Sequence, residues 1–394
     1  MNRSLSILTY SSLYPNCVQQ RHGIFVEQRL LHLLHDFPVT SRVVAPVPWF
    51  PFKGKRFGAY GTLAEVPARE TRGGVDVYHP RYGVIPALSW RFSPLLMAAG
   101  TIGLLRRLHA AQPFDLIDAH FVYPDGAAAS LLGRALGVPV AITARGSDLS
   151  LMPRYALPRR FIRQAGARAD ALITVCNALK DAWLELGVTE DKIHVLRNGV
   201  DLQKFSPVSG HELRERLGVG ARRMLLSVGN LVELKGNHLT IAALAHLPDI
   251  VLVLVGEGPE EASLRKLAQQ HGVAARVVFV GSVPQLALRE YYSAADALVL
   301  ASSREGWANV LLEAMACGTP VIASKVWGTP EVVAAPAAGV LLDERSPLGI
   351  VRAYQALFAN LPSRAETRAY AAGFSWDETS RGQYELFQRM LRSV

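Results

Sequence analysis

The feature that most constrains this chain is an alternation that runs along it twice. Short, continuous apolar runs rich in β-branched residues are each followed by an amphipathic stretch of helical period. In the first half, Leu5–Tyr10, Val39–Ala45, Val75–His79, Asp115–Ala119, Val138–Thr143 and Ala171–Val175 read as strands. Phe25–His35, Pro94–Ala111 and Gly126–Leu136 read as helices. Strands without polar alternation are buried on both faces, so helices must cover both sides of a parallel sheet. The stretch Pro46–Arg72, rich in Pro, Gly, aromatic and basic residues, has no clear period and reads as an insertion or long loop. A turn signal at Asn198-Gly199-Val200-Asp201, with polar and Pro residues to Gly210, marks a linker. The alternation then restarts. Met224–Val228, Ile250–Val255, Val277–Val280, Leu298–Ala301 and Val321–Ala323 read as strands, and Gly236–His246, Glu260–Gln270 and Val310–Ala316 as helices. After Ser346 only helical stretches follow, ending in Trp376–Leu391. The expected class is α/β, with two doubly wound Rossmann-like domains that bind ligands at their C-terminal strand edges, across a cleft.

A length of 394 residues suits two domains, and with half the residues apolar each can bury a core without staples. Cys17, Cys176 and Cys317 stand far apart, so they read as buried thiols in a reducing compartment. The opening residues, Met1 to Tyr10, are too short an apolar run for a signal peptide and read as a first buried strand. The longest uncharged apolar run, Pro94–Leu105, is closed by Arg106-Arg107 and is too short to span a bilayer. The net charge of +9 is unevenly placed: residues 1–170 carry 20 basic and 10 acidic side chains, residues 171–394 carry 22 and 23. A basic first half suits an anionic surface. No nucleic-acid-binding motif accompanies that charge, so nucleic acid is not an expected partner.

Chemistry concentrates in a few loops. Glu305-Gly306-Trp307-Ala308-Asn309 leads from the end of a buried strand into a helix that carries Glu313-Ala314-Met315-Ala316. The free N–H groups of a helix's first turn favour anions or hydroxyls, and carboxylates accept vicinal hydroxyls well. In Ser227-Val228-Gly229-Asn230-Leu231-Val232-Glu233-Leu234-Lys235-Gly236 a strand ends in Gly, and Lys235 stands where a helix opens, placed to set an ammonium on phosphates. Gly256-Glu257-Gly258 and Gly281-Ser282-Val283 allow close backbone approach to a ligand. In the first half, Asp118-Ala119-His120-Phe121 puts His120 at the C-terminal end of a parallel strand, and Thr143-Ala144-Arg145-Gly146-Ser147-Asp148 closes the next one.

Together these segments resemble the retaining glycosyltransferases of family 4, whose donor site carries a pair of glutamates eight positions apart followed by A-M-A-x-G-x-P-V. Asn198-Gly199-Val200-Asp201 matches the family's hinge. The resemblance implies a GT-B architecture: residues 1–200 for the acceptor, 201–374 for a nucleotide sugar, and a C-terminal helix, 375–394, crossing back to the first domain. It implies Glu313 on the ribose, and Glu305 with the backbone of Gly306, Trp307, Ala308 and Asn309 on the transferred sugar and phosphate. Lys235 would meet the diphosphate, together with Asn230, which stands where many members have Arg. Val283 would border the base, and Gly23, in Arg21-His22-Gly23, would lie near donor phosphates and acceptor. His120 would orient the sugar or steer protons. Arg145, standing where relatives have His, and Arg304 would contact phosphate or acceptor. Asp118 and Trp327 also depart from the pattern, replacing a common His and Gly.

Within the family the general look is similar to enzymes of exopolysaccharide, teichuronic acid or lipopolysaccharide assembly. The implied reaction moves a sugar from a nucleoside-diphosphate sugar to a glycan or polyprenyl-linked acceptor, with retention. No D-x-D triplet is present, and neither a metal nor another cofactor is expected. The implied location is the cytoplasm, with peripheral attachment to an anionic membrane face through Arg91, Arg106 and Arg107 around Pro94–Leu105. Sugar-nucleotide epimerases and phosphorylases use the same architecture, and a non-catalytic donor-binding protein is a third reading.

Overall fold

A computed structural model describes residues 4–54, 56, 58–84 and 89–392. The chain divides into two compact units, residues 1–197 with 376–394 and residues 198–375.

In the first unit the strands are β1 (Leu5–Tyr10), β2 (Val39–Val44), β3 (Val47–Pro48), β4 (Arg69–Arg72), β5 (Val75–Tyr78), β6 (Arg81–Tyr82), β7 (Leu116–His120), β8 (Val140–Ala144), β9 (Ala171–Thr174) and β10 (Ile193–Val195). Eight of them form one sheet in the order β10-β9-β8-β7-β1-β2-β5-β4, while β3 and β6 pair separately. Every pairing in the large sheet is parallel except β4 with β5. Every residue of β7, β8 and β9 is buried, as strands covered by helices on both faces must be. Ile7, Val43 and Val77 meet Val26, Leu30 and Leu33 of the helix Ile24–Asp36 in one core. Leu386, Phe387 and Met390 of the helix Trp376–Arg392 complete that core. This last helix buries Trp376, Thr379, Ser380, Gln383, Leu386, Phe387 and Met390, a stripe of helical spacing.

The second unit holds β11 (Arg223–Val228), β12 (Ile250–Val255), β13 (Val277–Gly281), β14 (Ala297–Leu300), β15 (Val321–Ser324) and β16 (Gly339–Leu342). Their order is β13-β12-β11-β14-β15-β16, and all pairings are parallel. In each sheet the chain moves outward to one side of its first strand and later resumes on the other. This creates a switch point between β1 and β7 and another between β11 and β14, where open α/β sheets take their ligands.

The expected loop Pro46–Arg72 in fact contains β3, the helix Gly58–Leu63 and β4; residues 55 and 57 of that stretch lie outside the described residues. β4 reads Arg-Glu-Thr-Arg and pairs at the sheet edge with alternate residues exposed, so it lacks an apolar signature. β10 and β16, three and four residues long at sheet edges, carry too few apolar positions to register as a period. Residues 1–3 of the expected opening strand and residues 393–394 of the expected terminal helix also fall outside the described residues.

Candidate active site

The second unit's switch point is built by the loops that leave β11 and β14. The Ser303 N–H donates to the Leu234 carbonyl at 2.8 Å, clamping the two loops together. Gly236 has φ 71°, and a Cβ there would run into the Ala301 carbonyl, so only glycine lets the β11 loop seat against the end of β14. This seating carries Lys235 to the crevice. Its Nζ lies 2.7 Å from Glu305 Oε1, and the same oxygen accepts from Ser302 Oγ at 2.6 Å. Glu305 Oε2 has no protein partner among the described residues. The two side chains stay 22% and 12% exposed, so solvent or a ligand reaches them. The arrangement offers a fixed ammonium with N–H groups to spare beside a carboxylate with one open oxygen, a set suited to a phosphate next to a hydroxyl-bearing ring.

Glu313 lies one turn inside the helix Asn309–Ala316, which no side chain caps. It enters a separate network: Tyr292 Oη donates to Glu313 Oε2 at 2.7 Å, Gln285 bonds the same carboxylate, and Lys204 Nζ donates to Gln285 Oε1 at 2.5 Å. Burial pushes the Glu313 carboxyl up from its ordinary range, and the Tyr292 bond, the Lys204 charge and Gln285 partly offset this. No hydrogen bond or ion pair joins Glu313 to Lys235 or Glu305 among the described residues.

Between the two glutamates Trp307 and Ala308 are buried. The Trp307 ring packs 6.1 Å from Phe374, and Asn309 Oδ1 accepts from Asn198 Nδ2 at 3.2 Å, which fixes the helix start. Gly306 and Arg304 are half-buried, and the Arg304 side chain forms no ion pair with any described residue. Asn230 is exposed, and its amide makes no hydrogen bond with the described residues. Val283 lies half-buried on the turn after β13. Trp327, replacing a glycine of the family pattern, keeps a left-handed backbone at φ 46°.

In the first unit His120 ends β7 and is 1% exposed. Arg145 Nη2 donates to His120 Nδ1 at 2.8 Å, which leaves the proton on Nε2, 3.1 Å from Asp118 Oδ2. Both ring nitrogens are therefore engaged. Burial first, then the Arg145 charge, holds His120 below its ordinary pKa against the pull of Asp118, so the imidazole is neutral near pH 7. Neither nitrogen is open in this arrangement, which suits the orienting role expected of His120 better than proton steering. Burial pushes Asp118 upward, but His120, Arg29 and Arg145 outweigh it and hold the carboxyl below its usual value. Gln383 Nε2 donates to Asp118 Oδ2 at 2.9 Å and its Oε1 accepts from Arg29 Nε at 2.6 Å, tying the C-terminal helix into the cluster.

Arg145 is 8% exposed, with its guanidinium 5.3 Å from the Phe25 ring centroid. Its backbone N–H and that of Gly146 bond the Asp148 carboxylate, as does the Val122 N–H at 2.8 Å. Gly23 is buried at φ 70°, and a Cβ there would strike the Leu13 carbonyl.

Comparison with known proteins decides the family. A model described as "Glycosyltransferase Family 4" matches residues 60–204, and one described as "Glycosyl transferases group 1" matches residues 211–374. A D-inositol 3-phosphate glycosyltransferase of Xylanimonas cellulosilytica is 32% identical over 351 residues, covering 82% of this chain and 84% of that one. The chain belongs to glycosyltransferase family 4. A Bacillus subtilis protein assigned by name to teichuronic acid biosynthesis, the glycosyltransferase TuaC, is 29% identical over 332 residues, 82% of each chain. Among solved structures, Anabaena Alr3699/HepE in complex with UDP and glucose superposes with a TM-score of 0.74 at 19% identity, covering 97% of this chain and 99% of that one. The architecture is GT-B.

Several residues of this glycosyltransferase's polar networks escaped sequence reasoning. Arg29 and Gln383 are long polar residues buried beside the apolar positions Val26, Leu30 and Leu33 and Trp376, Leu386 and Phe387 of their helices, and that interruption was the available signal. Ser302, Tyr292, Gln285 and Lys204 carry no such mark, because only the fold brings them to the two glutamates.

Proposed function

We propose that this glycosyltransferase moves a sugar from a nucleoside-diphosphate sugar to a lipid-linked glycan acceptor, with retention and without a metal. Its place would be cell-surface polysaccharide synthesis on the cytoplasmic face of the membrane. The second unit would hold the donor and the first the acceptor. The observation that carries this reading is the Lys235–Glu305 pair, mostly buried but still reached by solvent at the switch point between β11 and β14. In the reaction the anomeric C–O bond to the diphosphate breaks and a bond to the acceptor oxygen forms on the same face. The Lys235 ammonium stabilises charge growing on the departing phosphate. The open Oε2 of Glu305 accepts from hydroxyls of the sugar, and Glu313 from the ribose. With both nitrogens of His120 engaged, the acceptor's proton passes to the departing phosphate oxygen. The solved Anabaena protein with UDP and glucose and the TuaC name support the donor class and the polysaccharide context.

The membrane part of the reading has its own support. No helix of the described residues is long and apolar enough to cross a membrane. Phe92, Leu95 and Tyr155 are nonetheless 45–47% exposed beside Arg91, with Trp90 stacked edge-on against Tyr155 at 5.0 Å. Sedimentation with anionic vesicles at low and high salt tests it; no binding at low salt ends the membrane part alone.

For the donor site, Glu305→Ala and Lys235→Ala are each expected to lower transfer about 10²–10³-fold while the fold persists. Screening UDP-, GDP- and ADP-sugars for thermal stabilisation identifies the donor, and the anomeric configuration of the product, read by NMR with and without EDTA, tests retention and metal independence. Wild-type transfer rates in both variants would overturn the donor-site assignment.

A further inference from the structure

On the first unit the helix Ala156–Arg168 and the segment Leu186–Lys192 enclose an open hollow of about 650 Å³ that the donor chemistry does not use. Of its twelve lining residues four are cationic, Arg159, Arg160, Arg163 and Lys192, and none is acidic. Lys192 Nζ donates to the carbonyls of Ala167 at 3.1 Å and Ala169 at 3.0 Å, which pins an ammonium at one end of the groove. The segment ending in Lys192 leads into the N-terminal end of β10, the sheet end opposite that where His120 and Arg145 emerge. The groove therefore is not an extension of the His120 cluster.

The three arginines are unusual in their surroundings. Arg159 and Arg163 stand four apart and Arg160 and Arg163 three apart, so like charges face each other along one side of the helix. None of the three side chains has a hydrogen bond or an ion pair with any described residue, and all three are exposed. Stacked like charges destabilise a helix unless something of opposite sign neutralises them. The floor is built to keep the groove tight: a Cβ on Gly166 would come within 2.8 Å of both the Trp183 ring and the Val188 side chain. The hollow falls in the size range of small-molecule sites, and three guanidinium forks beside a fixed ammonium match the oxygens of a phosphate better than they match a single carboxylate.

We propose that this groove is a second anion site, which takes a phosphate- or diphosphate-bearing group. A lipid headgroup and a soluble phosphate ester share that chemistry. The site does not depend on the donor reading, since it lies in the other unit.

The test is hydrogen exchange on the full chain with inorganic pyrophosphate. Segments 156–168 and 186–192 are expected to exchange more slowly on addition, with a rise in melting temperature. In the triple variant Arg159→Gln, Arg160→Gln, Arg163→Gln both responses should vanish, while any slowing caused by UDP in the loops of Lys235 and Glu305 persists. Removing like charges should leave the ligand-free melting temperature equal or higher, so loss of binding is separable from loss of fold. The single change Arg163→Gln should weaken pyrophosphate binding about tenfold. Phosphatidylglycerol vesicles, compared with phosphatidylcholine vesicles, assign the source. Protection of the same segments by the anionic vesicles identifies a headgroup site, and protection by pyrophosphate alone identifies a soluble ester. No slowing in these segments of the wild-type protein, or equal slowing in the triple variant, overturns the proposal.

Discussion

The two units share a topology yet fill their switch points in opposite ways. Between β1 and β7 the crevice is closed from within: the Asp125 carboxylate, from the loop after β7, accepts from the backbone N–H and, at 3.0 Å, the hydroxyl of Ser12 in the loop after β1. Asp125 is fully buried, and burial pushes its carboxyl up to about 7 despite those bonds. Between β11 and β14 the same position holds an ion pair that keeps contact with solvent and leaves one carboxylate oxygen open. Strand order supplies the place for a ligand, and side-chain charge and access decide whether the place is used. In the first unit, charge sits beside the crevice in the Arg29–Asp118–His120–Arg145 cluster, where it is locked by protein partners. The contrast predicts that perturbing the first unit's charges costs stability, whereas perturbing the second unit's pair costs function.

The largest expected effect therefore comes from Asp118→Ala. It removes the carboxylate that His120 and Gln383 bond and that offsets two buried guanidinium groups, Arg29 and Arg145. Breaking a buried charge network from one side costs about 3–5 kcal/mol. Urea denaturation should show that loss, and nucleotide-sugar stabilisation of the second unit should survive it. An unchanged melting profile with lost activity would break the comparison, making the cluster functional instead of structural. Glu305→Ala is the mirror case, with a melting profile close to wild type and transfer largely lost.

How far the sequence foretold this follows from where each signal resides. The parallel sheets were legible because β12 is a continuous apolar run and β8 and β11 are largely apolar, a pattern that a doubly buried strand imposes locally. β4 was not, because an edge strand of Arg-Glu-Thr-Arg buries too little to need apolar residues. Lys235 and Glu305 were legible as loop residues after strands, since strand ends and glycines mark where a crevice forms. Their direct contact was not, because 70 residues separate them and only the adjacency of β11 and β14 closes that gap. The His120 cluster was partly legible for a similar reason: the strand end marked the histidine, but its contact with Arg145 arises only from the adjacency of β7 and β8.

A smaller effect separates holding a carboxylate from using it. Tyr292→Phe deletes the hydroxyl that bonds Glu313 Oε2 and leaves the ring's packing with Phe205 at 6.0 Å. The loss of one such bond to a charged group costs about 1.5–3 kcal/mol. It should appear as a raised KM for the donor, with kcat nearly kept, if Glu313 holds the ribose. An equal fall in kcat at constant KM would place Glu313 nearer the reacting atoms.

The smallest effect, and the one that most sharpens the contrast, is the pH response of His120. Burial holds its pKa below the ordinary value, so between that lowered pKa and about 6.5 the unfolded chain binds more protons than the native one. Stability from this residue is complete above about 6.5 and is lost as pH falls, because a protonated ring could no longer accept from Arg145. Asp125 slopes the other way: its raised carboxyl makes the native state bind more protons from the ordinary Asp range up to about 7. Total stability mixes the two, so the informative quantity is the difference between wild type and His120→Gln, in which the Asp125 contribution cancels. That difference should stay flat from pH 8 to about 6.5 and shrink below that, by up to about 1.4 kcal/mol per pH unit, read from urea midpoints. Parallel curves would mean that the imidazole does not titrate against its neighbours. The cluster would then be held by packing alone, and the distinction between a locked first unit and an open second one would lose its electrostatic basis.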